Sequence, residues 1–227
     1  MRKPIFFLGP SLSHEKAKKI VEADFRGPAK KGDLLRASGD IDDYTIVCLV
    51  DALFLQDYPP SPIEVYQLML NKNIKLYGAA SLGALRAVEL EKFGMIGIGK
   101  IFELYKNGKL TADDEVAVTF VEGDQELQSE AMIDIRFNLF LAHRVGVINE
   151  ITKKTISKVA KNIYFPYRNY AYILDQTEKQ YPAISEDLKS FGTYITKNRQ
   201  SLKERDTIKL INYIKNLLTK SNHDVSG

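Results

Sequence analysis

Three short apolar runs, residues 5–8, 45–50 and 74–77, constrain the fold of this chain more than any other feature. Each has the length of a buried strand, and each gives way to a small or polar residue: Gly9, Asp51 and Gly78. Between the first two, residues 13–23 place Ala17, Ile20 and Val21 at helical spacing, with lysines on the opposite side. Between the second and third, residues 62–70 read as a helix with Pro62 in its first turn. Strands alternating with helices predict an α/β fold, a Rossmann-like parallel sheet with crossover helices.

Further along, residues 116–121 read as a strand or an extended crossing, and Gly123-Asp124-Gln125 as a turn. Helical spacing then dominates, over residues 129–144, 150–162, 168–180, 185–193 and 206–220. The expected organisation is an α/β core domain over 1–145, a helical C-terminal lobe over 146–220 and a frayed tail over 221–227.

Composition narrows the class. The 227 residues are 44% hydrophobic, enough for a sizeable core, and no stretch reaches the roughly 20 apolar residues that cross a bilayer. The first apolar run is too short for the core of a signal peptide, which predicts a cytoplasmic protein with no membrane role. The single cysteine, Cys48, sits inside an apolar run and reads as a small buried hydrophobe. One cysteine excludes an intrachain disulfide and cannot build a thiolate metal site. Net charge is +3, from 32 basic and 29 acidic residues whose signs are interspersed, which argues against nucleic-acid binding. The basic clusters, Lys153-Lys154 among them, read as solvated helix faces, with docking of an acidic protein partner the alternative.

In a parallel sheet, ligands collect outside the carboxyl ends of the strands. That rule picks out Gly9-Pro10-Ser11, Asp51 and Ala79-Ala80-Ser81 as loops expected to converge on one crevice. No dinucleotide fingerprint or Walker loop is present, because Gly94, Gly97 and Gly99 have the wrong spacing. The segment from Leu76 to Glu89 reads as strand, tight turn and helix, with Ser81 at the positive helix end as a nucleophile, an anion anchor or simply a cap. Amides near Leu82 and Gly83 are candidate oxyanion donors. The elbow lacks the G-x-S-x-G form, since Ala79 replaces the first glycine, and no serine-hydrolase triad assembles.

Arg86 either binds a carboxylate in the crevice or pairs with Glu89 three residues on; Asp33 and Arg36 have the same spacing and the same two options. Asp51 either orients a base or caps a turn, and Ser11 has a similar balance. His14, just past the first loop, is a candidate contact. Asp113-Asp114-Glu115 reads as a solvated acidic turn rather than a metal site, because no histidine accompanies it.

An ordered set of motifs carries a resemblance: Phe7-Leu8-Gly9-Pro10-Ser11, Gly32-Asp33-Leu34-Leu35-Arg36, Gly78-Ala79-Ala80-Ser81-Leu82-Gly83-Ala84-Leu85-Arg86-Ala87, and Phe93-Gly94-Met95 with Gly97, Gly99 and Phe102. Asp113-Asp114-Glu115-Val116-Ala117-Val118, Ser129-Glu130 with Met132 and Arg136, and Phe165-Pro166 with Arg168 extend it. Together they resemble the TfuA-like family, accessory proteins of YcaO enzymes in peptide backbone thioamidation. The sequence departs from the family where Phe120 stands in place of a common histidine, and where Pro62 and Ile63 stand in place of a histidine and lysine.

The resemblance implies release of sulfide from, or presentation of, the C-terminal thiocarboxylate of a ubiquitin-like sulfur-carrier protein to a YcaO-type enzyme. It implies no cofactor and no metal on this chain. Ser81, Asp51 and Arg86 are then the candidate catalytic residues, and Gly9, Ser11, His14, Gly78, Gly83, Asp33, Arg36 and Glu89 the candidate substrate contacts. A non-catalytic adaptor and a Rossmann-like small-molecule binder are the alternatives. The oligomeric state is left open.

Overall fold

The computed structural model describes residues 3–38, 41, 43–53, 58–121 and 127–224. It divides into two compact units, one of residues 1–113 with 203–227 and the other of residues 114–202.

The first unit is built on a parallel sheet of β1 (Ile5–Phe7), β2 (Asp24–Arg26), β3 (Thr45–Leu49), β4 (Ile74–Ala79) and β5 (Ile96–Ile98), in the order β2-β1-β3-β4-β5. Its helices are α1 (His14–Lys18), α2 (Asp33–Ser38), α3 (Pro62–Met69), α4 (Leu82–Leu90) and α5 (Lys100–Lys106). The α/β expectation holds, and the three apolar runs form the adjacent strands β1, β3 and β4.

Side chains alternate between the two faces of each strand. Phe6, Ile46, Cys48, Tyr77 and Ala79 pack with Leu12, Ala17 and Val21, and with Leu210, Ile211 and Ile214 of α10 (Leu202–Asp224). Val47, Leu49 and Leu76 are buried on the opposite face, where α3 and α4 lie against β4. Burial on both faces explains why these strands read as unbroken apolar runs.

The second unit is helical, with α6 (Met132–Arg144), α7 (Glu150–Asn162), α8 (Tyr170–Gln180) and α9 (Ser185–Asn198). They close over a core that includes Met132, Ile135, Leu139, Ile156, Ile173 and Phe191.

Several boundaries differ from the sequence reading. The first helix stops at Lys18, because the chain turns to lay β2 beside β1. Residues 116–121 form no strand; a short 3-10 turn at Asp113–Glu115 leads into irregular chain with one bridge, Phe120 to Leu127. Val116, Ala117 and Phe120 are apolar because that irregular chain is buried. α10 begins at Leu202 and runs on to Asp224, past the expected start of the tail. The turn expected at Gly123-Asp124-Gln125 lies outside the described residues.

Candidate functional site

With the order β2-β1-β3-β4-β5, the direction of winding reverses between β1 and β3, and such a switch point opens a crevice at the carboxyl ends of the strands. Asp51 stands there, just beyond β3, and is 1% exposed. Its Oδ2 accepts from the Gly9 amide at 2.9 Å and the Ser11 amide at 3.0 Å, and its Oδ1 accepts from the Ser11 hydroxyl at 2.6 Å. Its own amide donates to Phe7 O, and its carbonyl accepts from Ala29. One residue therefore ties together the chain ends beyond β1, β2 and β3. A carboxylate holding three donors is a positioning group, and of its two sequence readings the geometry matches the turn cap. Gly9 sits where a side chain would meet Pro28 Cγ at 2.3 Å, which explains its size.

The elbow after β4 makes its turn one residue ahead of Ser81. The residue with positive φ is Ala80, at 63°, one position before Ser81. A non-glycine residue there carries steric strain of about 1 kcal/mol. Ser81 follows with φ −94° and ψ −126°, makes no side-chain capping bond to α4, and is 3% exposed. The Gly83 amide donates to Val50 O at 3.1 Å and the Ala84 amide to Ser81 O at 3.1 Å. Gly83 and Ala84 are thus not available oxyanion donors, and the Leu82 amide at the first position of α4 is the remaining candidate beside Ser81. Close approach is why glycine stands at 78 and 83: a Cβ on Gly78 would lie 2.1 Å from Gly83 O, and one on Gly83 1.8 Å from Leu49 O.

Arg86 is buried, donating from Nε to Pro60 O at 3.0 Å and from Nη1 to Glu89 Oε2 at 2.7 Å. The i,i+3 pair is formed, and Arg86 also braces the chain entering α3. Asp33 accepts from the Lys30 amide and from Arg36 Nη2 at 2.6 Å, so that pair forms as well. A cavity of about 330 Å³ opens beside it, lined by Phe7, Arg26, Pro28, Lys30, Asp33 and Arg36. His14 Nε2 lies 2.8 Å from Leu8 O, and because a carbonyl only accepts, that nitrogen carries the proton. The structure brings Gly9, Ser11 and Asp51 together directly; His14 braces Leu8, while Asp33 and Arg36 line the cavity toward β2.

Glu64 escaped the sequence reading. It is 5% exposed and its Oε1 accepts from the Gly32 amide at 2.8 Å, fastening the Gly32-to-Arg36 motif to α3. The pattern Ser61-Pro62-Ile63-Glu64, with Ser61 capping the Glu64 amide, was the available signal. Cys48 is fully buried on β3, and burial pushes its thiol well up, so it stays protonated and inert.

The acidic turn is exposed at Asp113 and half-buried at Asp114, and of the three carboxylates Glu115 is the one taken out of solvent. Glu115 is 4% exposed and takes a two-pronged contact from Arg136, at 2.9 and 3.0 Å, with Lys161 at 3.0 Å. Asp114 pairs with Lys161 and with Arg168, which is itself 1% exposed and donates to four carbonyls: those of Ala160, Ile163, Asp114 and Lys161. Burial raises both carboxyls, but the Arg136, Arg168 and Lys161 contacts outweigh it and hold them below the usual range. Among the described residues no acidic, histidine or cysteine cluster suits a metal ion.

Together these features define a doubly wound α/β protein joined to a helical unit. The model of the TfuA-like family matches residues 51–169, slightly over half of the chain, and the chain belongs to that family. The match starts at Asp51 and takes in the elbow, the Asp114 and Glu115 cluster, Arg136 and Arg168; the Gly9 and Asp33 motifs precede it. Membership supports an accessory role in thioamidation, because the family is associated with YcaO-dependent systems. No curated protein matches the chain. Among the described residues no helix is long and apolar enough to cross a membrane.

Proposed function

We propose that this protein releases sulfide from the C-terminal thiocarboxylate of a ubiquitin-like sulfur carrier for a YcaO-type enzyme. The observation that carries the reading is Ser81: a serine at the N-terminus of α4 whose hydroxyl makes no capping bond, on an elbow that the Gly83 amide ties to Val50, the residue before Asp51. Water supplies the oxygen: a C–O bond forms at the thiocarboxylate carbon, the C–S bond breaks, and sulfide leaves as HS⁻ with a carboxylate and a proton as the other products. Ser81 serves as transient nucleophile or as anchor for the anion, with the Leu82 amide and the helix end favouring negative charge. Asp51 positions the Gly9-to-Ser11 loop, and Arg86 holds the chain at Pro60. Neighbouring strands lie about 4.8 Å apart, so roughly four extended residues span from the end of β2 to the elbow. Arg26, Lys30 and Arg36 in the cavity toward β2 favour approach of an anionic tail.

The experiment mixes the purified protein with thiocarboxylated carrier and follows sulfide. Ser81→Ala is expected to slow release by about a hundredfold or more. The near-complete burial of Ser81 favours a second reading, in which the chain presents the carrier without cleaving it. No acceleration of release over buffer by the parent chain, with thioamide yield unchanged in Ser81→Ala, would select that adaptor role.

A further inference from the structure

The second unit carries a groove that the proposed chemistry does not use. It lies between α6 and α7, has a volume of about 590 Å³, and is lined by the cations Arg136, Lys153, Lys154, Lys158 and Lys161. The apolar surface in the groove is the Phe140 ring, 48% exposed, over a floor at the buried Leu139.

The cations are unequally committed. Arg136 spends its guanidinium on Glu115 and Ser157, and Lys161 is held by Asp114 and Glu115. Lys153 pairs closely with Glu150 at 2.6 Å, whereas Lys154 reaches the same carboxylate only at 3.6 Å and is 75% exposed. Lys158, one turn beyond Lys154 on α7, has no ion pair among the described residues. The groove therefore presents ammonium groups in excess of their carboxylates beside exposed apolar surface.

We infer that this groove docks an acidic segment of a protein partner, its carboxylates on Lys154 and Lys158 and an apolar side chain against Phe140. Nucleic acid fits less well. The guanidinium that lines the groove is already held by Glu115 and Ser157, which leaves no planar fork for a phosphate. The inference stands apart from the Ser81 chemistry, and its failure leaves that reading untouched.

The test is fluorescence anisotropy of a labelled synthetic peptide with glutamates flanking one phenylalanine, titrated with the full chain. Binding is expected to weaken about tenfold in Lys154→Glu/Lys158→Glu and to fade between about 0.05 and about 0.5 M salt. The double variant Lys18→Glu/Lys19→Glu on the other unit should bind as the parent does. Thermal unfolding of each variant separates lost binding from lost folding. Absent binding, equal binding by the Lys154/Lys158 variant, or tighter capture of a single-stranded oligonucleotide at matched salt would each overturn the proposal.

Discussion

Asp51 concentrates more structural consequence than any other side chain in the first unit. Its carboxylate receives three donors in a site 1% exposed, so an amide in its place leaves an NH₂ facing N–H groups. Asp51→Asn is expected to destabilise the fold by roughly 2–4 kcal/mol, measured by denaturant unfolding. The glycines supply a graded comparison. Gly83→Ala drives a Cβ to 1.8 Å from a backbone oxygen that cannot step aside, and should cost about 3 kcal/mol or prevent folding. Gly27→Ala meets nothing within 4 Å and should lie within about 0.5 kcal/mol of the parent. Equal effects at the two positions would contradict the close contact between α4 and β3.

At the scale of elements, α5 depends on a residue far along the chain. Gly99 precedes it at φ 107°, where any side chain is strained and would collide with the Asp206 carboxylate. Asp206 of α10 accepts from the Lys100 amide at 2.9 Å and the Ile101 amide at 2.7 Å, doing the work of an N-cap. Asp206→Ala should fray α5 and cost about 1–2 kcal/mol, read as faster hydrogen exchange over residues 100–104. The elements least legible in the sequence were β2 and β5, three residues each at the sheet edges. β2 runs Asp-Phe-Arg and is only partly buried, so no apolar run announces it; β5 carries Gly97, packed on the Phe102 ring. Helices α7, α8 and α9 were legible because an amphipathic face is a local pattern.

At the scale of the molecule, two carboxyl groups of the helical unit are shifted in opposite directions from their ordinary values. Burial raises Glu130 to about 7; the Arg199 charge opposes this, Asp134 adds to it, and Arg199 donates to it at 2.6 Å. A raised folded-state value means that the stability Glu130 contributes is full below its unfolded value near 4.5 and is lost as pH rises through about 7. Glu115, held low by Arg136 and Lys161 despite its burial, contributes stability above its unfolded value that is lost as pH falls. Unfolding across pH should therefore show a decline from mildly acidic to neutral pH that Glu130→Gln removes, and an acid limb that it leaves in place. A decline unchanged by Glu130→Gln would assign it elsewhere.

The sequence by itself determined the alternation of strands and helices, the three central strands, the small-residue elbow and the helical C-terminal region. All are patterns within a few residues, set by which side chains must leave water. Only the tertiary structure decided which loops meet. Asp51 finds Ser11 40 positions away, Asp206 finds Ile101 at 105, and Arg168 finds Asp114 at 54. Such pairings depend on strand order and on which chain ends the sheet brings side by side, and no local pattern of residues encodes either. The same reason explains how an acidic run that reads as a solvated turn buries Glu115 in ion pairs: its partners Arg136 and Lys161 arrive from helices formed later in the chain.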